Sequence, residues 1–157
     1  MQVKYIGLSI FIIIILIIQL IVNNTTILYI DCLTLIMVAL LLDGLCSNRF
    51  LLVASLLADL LGHWYLGTHL LAITLVSFPA KGLVNFYRVS NFLQKIVLNG
   101  IFALIAYLLI GSIDALAHKS GISWKNLLVE IVILNPIILL MLSTVIVKLP
   151  SDIIRTE

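Results

Sequence analysis

The sequence predicts an all-α integral membrane protein with six transmembrane helices and with both termini in the cytoplasm. Of its 157 residues, 63% are hydrophobic and only 10% are charged. A soluble domain is usually about half apolar and about one quarter charged. Lipid must therefore solvate much of the surface. The number and orientation of the helices follow from the apolar segments and from the placement of the basic residues.

Six apolar segments can be delimited between turn-forming residues. They cover residues 5–22, 27–42, 50–65, 68–87, 92–113 and 127–147. A membrane-spanning helix needs about 20 such residues, so the second and third segments are the shortest candidates. No connecting loop is long enough for a soluble catalytic or nucleic-acid-binding domain. We therefore expect residues 1–157 to form a single polytopic membrane domain.

The basic residues fix the predicted orientation, because cytoplasmic loops of membrane proteins are enriched in lysine and arginine. With the N-terminus inside, two basic residues, Lys119 and Lys125, fall outside the cell. The other seven fall inside: Lys4, Arg49, Lys81, Arg88, Lys95, Lys148 and Arg155. This asymmetry favours an even number of spans.

Asp59 is the most informative residue of the third segment, since it stands in an otherwise apolar stretch. Counted from Arg49 at about 1.5 Å per residue, it is expected about 15 Å into the bilayer, near its middle. A charge there costs at least about 2.5–3.5 kcal/mol unless it has a partner. The favoured interpretation is that Asp59 caps or hydrogen-bonds a neighbouring helix, with His63 or His69 as its pairing partner. The alternatives are a functional pocket lined by Asp59 and a metal site formed by Asp59, His63 and His69.

Several other residues are candidates for polar or close contacts. Asp31 is expected at the outer interface, either as an interfacial polar residue or paired with His63 or His69. Ala54 and Ala58 form a small-xxx-small pair, which lets another helix approach closely. Glu130 is expected to be neutralised by Lys119 or Lys125. Pro79 and Pro136 are expected to kink their helices.

The sequence contains none of the usual short catalytic motifs. It has no phosphate-binding glycine loop, no nucleophile elbow, no His-Glu-x-x-His and no Cys-x-x-Cys. The lack of a nucleophile–base pair argues against a covalent enzyme, but it leaves an intramembrane carboxylate mechanism open. No cofactor and no bound metal are expected.

The third segment and the turn after it resemble a known family. The stretch Leu-Leu-Ala58-Asp59-Leu-Leu-Gly62-x-x-x-Leu66-Gly67-x-x-Leu70-Leu-Ala72 is similar to the central signature of MreD, the small membrane subunit of the bacterial rod-shape complex. The resemblance covers about residues 49–82 in sequence and the whole chain in layout. It implies a fold similar to that of the substrate-binding subunits of energy-coupling factor transporters.

The resemblance also implies a role and partners. An MreD-like protein of the inner membrane binds MreC, a bitopic protein, and acts indirectly with MreB and the RodA–transpeptidase synthase in peptidoglycan synthesis and cell shape. The implied partner or pocket candidates are Asp31, Ala54, Ala58, Asp59, Gly62, His63, Trp64, Gly67 and His69. In this interpretation the small residues allow the partner to pack closely, and aromatic residues at the outer rim contact it. Asp59 maintains the arrangement of the helices.

Two other functions compete with this one. The first is a vitamin-type small-molecule-binding subunit of an energy-coupling factor transporter. Such subunits typically carry an Ala-x-x-x-Ala motif in their first helix, whereas the first segment here contains no alanine. The second is an intramembrane enzyme or proton-coupled transporter built around Asp59.

Overall fold

The computed structural model describes residues 2–25, 31–45, 47–61, 66–118 and 124–147, and within these ranges every regular element is helical. The helices are α1 (Gln2–Thr25), α2 (Cys32–Leu42), α3 (Asn48–Leu61), α4 (Thr68–Val89), α5 (Phe92–His118), α6 (Trp124–Val129) and α7 (Asn135–Val147). A π-helical turn, Glu130–Leu134, joins α6 to α7 without a break. The described residues thus form six helical rods, and the all-α prediction is confirmed.

Three of the rods are long and apolar enough to cross a membrane. Their candidate spans are Thr68–Val89, Phe92–Leu116 and Leu127–Thr144. In the parts of the other helices whose side chains are described, the apolar stretches are Ile12–Thr25, Cys32–Leu42 and Phe50–Leu60. These lengths and compositions indicate a membrane protein, with apolar side chains exposed along the outer faces of the rods.

Helix α2 lies at the centre of the bundle. All of its residues from Cys32 to Leu42 are buried, and it contacts α1, α3, α4, α5 and α7. A helix that is apolar on every side is typical of such a site, because no face meets polar solvent. Its 11 residues give a length of only about 16 Å. The second apolar segment of the sequence is thus largely a short core helix.

The alanine pair of α3 faces the interior of this chain. Ala54 and Ala58 are only 5% and 3% exposed, and they belong to a core cluster with residues of α2 and α4. Their small size therefore allows close packing within the chain. The close approach that their spacing predicts is thus made by helices of this chain, and little surface of either residue remains for a separate partner. Larger exposed residues, Leu57 and Leu60 among them, cover the outer face of α3.

The C-terminal end of α2 is closed by a Schellman motif, in which the last amides turn back onto the helix. Gly44 has a φ of 68°, and its N–H donates to the Leu41 carbonyl at 3.0 Å. The Leu45 N–H donates to the Leu40 carbonyl at 3.0 Å. Arg88 of α4 adds a bond from its Nε to the Asp43 carbonyl at 2.9 Å.

The π-helical turn accommodates Pro136, which has no N–H to donate. The Asn135 N–H reaches back five residues to the Glu130 carbonyl. The Asn135 side chain donates to the Ile96 carbonyl of α5 at 2.9 Å, and it accepts a bond from Asn99 Nδ2 at 2.7 Å. Two buried asparagines thus lock the irregular turn against α5. At Pro79, by comparison, α4 continues as a helix to Val89.

The two ends of the bundle differ in charge. The end that carries Asp43, Arg88 and Lys95 is called the basic end, and the end that carries Asp31, Asp59 and Glu130 is called the acidic end. Polar clusters therefore lie beyond both termini of the buried helix α2.

Candidate functional site

Asp59 caps the beginning of α4. One carboxylate oxygen accepts the Gly67 N–H at 2.6 Å, and the other accepts the His69 N–H at 2.9 Å. The first amides of a helix have no partner within the helix, and its N-terminus favours a negative charge. Gly67, with a φ of 97°, adopts the left-handed conformation at this turn. Asp59 therefore joins α3 to α4 by satisfying amides that α4 cannot satisfy itself.

This position differs from the predicted one. Because Asp59 bonds the first turn of the long helix α4, it lies at the level of that helix end. Relative to the candidate span Thr68–Val89, Asp59 lies beside the beginning of the span, whereas the expected position was near the middle of the bilayer. That count took Arg49 as the membrane boundary and considered α3 alone, whereas the bonds of Asp59 are made to the first turn of the long helix α4.

His69 connects Asp59 to Asp31. Its Nδ1 lies 2.7 Å from an Asp59 oxygen, and its Nε2 lies 2.8 Å from an Asp31 oxygen. Both distances are hydrogen-bond distances, so a proton occupies each nitrogen–oxygen axis. The predicted pairing with His69 is confirmed for both aspartates.

Asp31 also caps α2. Its carboxylate accepts the Thr34 N–H at 3.2 Å and the Thr34 hydroxyl at 2.6 Å. Gln19 of α1 accepts the Leu33 N–H at 3.3 Å, so two amides of the first turn of α2 have partners. Asp31 is only 4% exposed. It is a buried connector, which excludes the interpretation as a simple interfacial polar residue.

The backbone of Asp31 extends the network to two more elements. Its N–H donates to Glu130 at the π-helical turn, at 3.0 Å, and its carbonyl accepts the Tyr107 hydroxyl of α5 at 2.8 Å. Glu130 is 4% exposed. The acidic-end network is defined here as Gln19, Asp31, Thr34, Asp59, His69, Tyr107 and Glu130. It fastens helices α1 to α5 and the π-helical turn to one another.

The sequence identified part of this network. Asp31, Asp59, Gly67 and His69 come together as candidates, whereas Gly62, His63 and Trp64 lie outside the described residues. The roles of Gln19, Thr34 and Tyr107 were missed, although a glutamine in the very apolar first segment was a usable signal. Of the partners predicted for Glu130, Lys119 and the side chain of Lys125 also lie outside the described part.

The chemistry of the network is that of a structural linkage. The carboxylate oxygens of Asp59 are bonded to amides and to the imidazole, and His69 presents each ring nitrogen to a different carboxylate. A metal site needs several ligands that converge on one point. Among the described residues, no group of three or more histidine, cysteine or acidic side chains is arranged to hold a metal ion.

Comparison with known proteins was made at the level of families, curated sequences and solved structures. No family model, no curated protein and no solved structure matches the chain. The function is therefore argued from the residues and their geometry.

Proposed function

We propose that the chain is an MreD-like, non-enzymatic membrane subunit of a bacterial rod-shape complex, with several spans in the inner membrane and both termini in the cytoplasm. Its function is to bind an MreC-like bitopic protein and thereby help to regulate peptidoglycan synthesis and cell shape. MreB and the RodA–transpeptidase synthase act with it indirectly. The observation that carries the proposal is the contact between Asp59 and the turn at Gly67.

That contact supports the proposal because it joins two residues of the stretch that resembles the MreD signature. Asp59 and Gly67 are separated by eight residues, yet they meet directly through the 2.6 Å bond. The signature residues therefore belong to one local unit, in which the carboxylate orients the start of α4. A group used in this way is suited to hold a binding surface rather than to carry out catalysis.

The surface proposed for the partner is the outer face of α3. Ala54 and Ala58 are buried within the chain, so the exposed residues of the other side carry the contact: Leu52, Val53, Leu57 and Leu60. Packing against a single transmembrane helix would cover these side chains by van der Waals contact, the main force between helices in lipid.

The test is co-purification of the tagged full chain from native membranes. Recovery of an MreC-like bitopic protein supports the proposal. Leu57→Trp should reduce that recovery, whereas the matched control Leu140→Trp, at an exposed position of α7, should leave it unchanged. Retention of a vitamin together with an ATPase module would instead establish the transporter alternative.

Asp59→Asn separates the structural role from a chemical one. The variant should weaken assembly or stability, because an amide nitrogen replaces one of the accepting oxygens. Normal assembly accompanied by loss of a catalytic or transport activity would contradict the proposal and favour the enzyme or transporter class.

A further inference from the structure

A pocket lies at the basic end, between the end of α2, the α4–α5 corner and α7. Its volume is about 120 Å³, which is well above the roughly 10–15 Å³ that a single water needs. Its polar wall consists of Asp43, Tyr87, Lys95 and Ser143. This pocket is separate from the acidic-end network and is independent of the function proposed above.

Tyr87 is the unusual residue of this pocket. The side chain is fully buried, with 0% exposure, but its hydroxyl has no hydrogen-bond partner in the described part of the chain. Buried hydroxyls are nearly always paired, and an unpaired one calls for an explanation such as an unseen ligand. Tyr87 is one of the lining residues of the pocket, and its buried hydroxyl is a donor without an acceptor in the described part of the chain.

Lys95 brings positive charge to the same place. Its Nζ lies 5.1 Å from the centre of the Tyr87 ring and 3.9 Å from an Asp43 oxygen. The second distance exceeds that of a hydrogen bond, so the ammonium is not saturated by this carboxylate. Its side chain is 28% exposed and is therefore accessible to a ligand.

Among the described residues of the pocket wall, Asp43 is the acidic one. Its carboxylate would repel a bound anion. Two cations surround it, since Arg88 bonds its carbonyl and Lys95 faces its carboxylate. Burial raises the pKa of Asp43, and the two nearby cations offset only part of this rise. Arg88 and Lys95 therefore offset the negative charge of Asp43 beside the pocket.

The remaining wall is apolar. Phe92, Leu139 and Leu142 complete the lining, and Phe92 is 42% exposed on the outer surface of the bundle. The pocket therefore combines a cation and an unpaired hydroxyl donor with a hydrocarbon surface. A phospholipid has the matching parts, namely a phosphate with acceptor oxygens and an acyl chain.

We propose that the basic-end pocket binds the phosphate of a membrane phospholipid. Lys95 Nζ and the Tyr87 hydroxyl donate to the phosphate oxygens, and the Ser143 hydroxyl, which donates to the Leu140 carbonyl at 2.8 Å, lies at the rim. An acyl chain continues from the phosphate along Phe92 and Leu139. Clusters of basic residues beside transmembrane helices are a general feature of lipid headgroup sites.

The test measures binding of dioleoyl phosphatidylglycerol to the purified full chain in detergent by native mass spectrometry. Tyr87→Phe and Lys95→Gln should each weaken binding by about tenfold or more, since each removes a donor to a charged group. The controls are Ser112→Ala, which removes an exposed hydroxyl of α5, and Lys81→Gln, which removes a charge outside the pocket. Both should bind the lipid within about twofold of the unaltered chain.

Tyr87→Phe also controls for folding. Because its hydroxyl has no partner in the described part of the chain, the variant should unfold at the same temperature as the unaltered chain or higher. If Tyr87→Phe binds the lipid normally, the hydroxyl does not donate to the phosphate and the proposal is wrong.

Two further ligands identify the source of the phosphate. Dioleoylglycerol, which lacks the phosphate, should bind at least about tenfold more weakly than the phospholipid. Inorganic phosphate should bind much more weakly as well, because it lacks the acyl chains. Equal binding of inorganic phosphate and phospholipid, with the same dependence on Tyr87 and Lys95, would overturn the lipid assignment.

Discussion

His69 is the residue on which the acidic-end network depends, because each of its ring nitrogens faces a different buried carboxylate. Both Asp31 and Asp59 are almost completely buried. A carboxylate removed from water is stable only with a partner, and removal of one member of a buried ion pair typically costs about 3–5 kcal/mol. The imidazole is therefore a structural counter-group for two helices at once.

We expect His69→Ala to destabilise the chain by about 3–5 kcal/mol. Without the imidazole between them, the buried carboxylates of Asp31 and Asp59 lose their shared partner and repel each other. Thermal unfolding in detergent, followed by circular dichroism, measures this change. The matched control is Leu66→Ala, in the turn just before α4, where the side chain is 70% exposed and little change is expected.

A double-mutant cycle of His69→Ala with Asp59→Asn tests the same contact. The two effects should be strongly non-additive, because the second change removes part of the charge that the first leaves unpaired. Additive effects would show that the two side chains do not stabilise each other.

The sequence indicated several polar residues of this network, but it did not indicate most of the hydrogen bonds between them. A lone aspartate in an apolar stretch and a nearby histidine are visible signals, because both are expensive to bury. The bond from Asp31 to Glu130 spans 99 positions and depends on the placement of the π-helical turn beside the start of α2. No local pattern carries that information.

At the scale of single elements, the end of α2 is the most constrained turn among the described residues. Gly44 has a positive φ, and a Cβ at this position would lie 2.8 Å from Val84 Cγ1. Two independent reasons thus require glycine here, namely the backbone conformation and the close approach of α4.

Gly44→Ala should destabilise the chain by at least about 1–2 kcal/mol, because alanine is strained in the left-handed region and must also displace Val84. Gly82→Ala is the matched control. A Cβ at Gly82 meets nothing within 4 Å, and alanine favours the helix by up to about 1 kcal/mol. Unfolding temperatures of the two variants give the comparison, and equal values would contradict the role assigned to Gly44.

The nature of α2 could not be predicted from its composition. A short apolar run is consistent with part of a membrane span and also with a buried core helix, because the spacing of its hydrophobic residues does not distinguish the two. Only the surrounding helices decide between the two. The π-helical turn was similarly hidden, although Asn135-Pro136 did mark the place where the helix deviates.

For the whole molecule, the two polar clusters lie at opposite ends and differ in charge. Asp31, Asp59 and Glu130 form the acidic end, whereas Arg88 and Lys95 lie at the basic end with Asp43. This division agrees with the asymmetry of basic residues in the sequence, in which positive charge marks the cytoplasmic side.

Cysteine accessibility tests this orientation. In a background with Cys32→Ala and Cys46→Ala, we expect Leu66→Cys to react with a membrane-impermeant maleimide in intact cells. Val89→Cys, which is 81% exposed in the unaltered chain, should react only after permeabilisation. Labelling of Val89→Cys in intact cells would reverse the proposed orientation.

The central burial of α2 has a consequence for biogenesis. A helix of about 16 Å cannot cross about 30 Å of hydrocarbon by itself, so it is not a stable unit of membrane insertion. Asp31 at one end and Asp43 at the other would also remain without their partners until α4 and α5 are in place. Insertion and assembly are therefore coupled: α2 takes its final position only when the helices synthesised after it have closed around it.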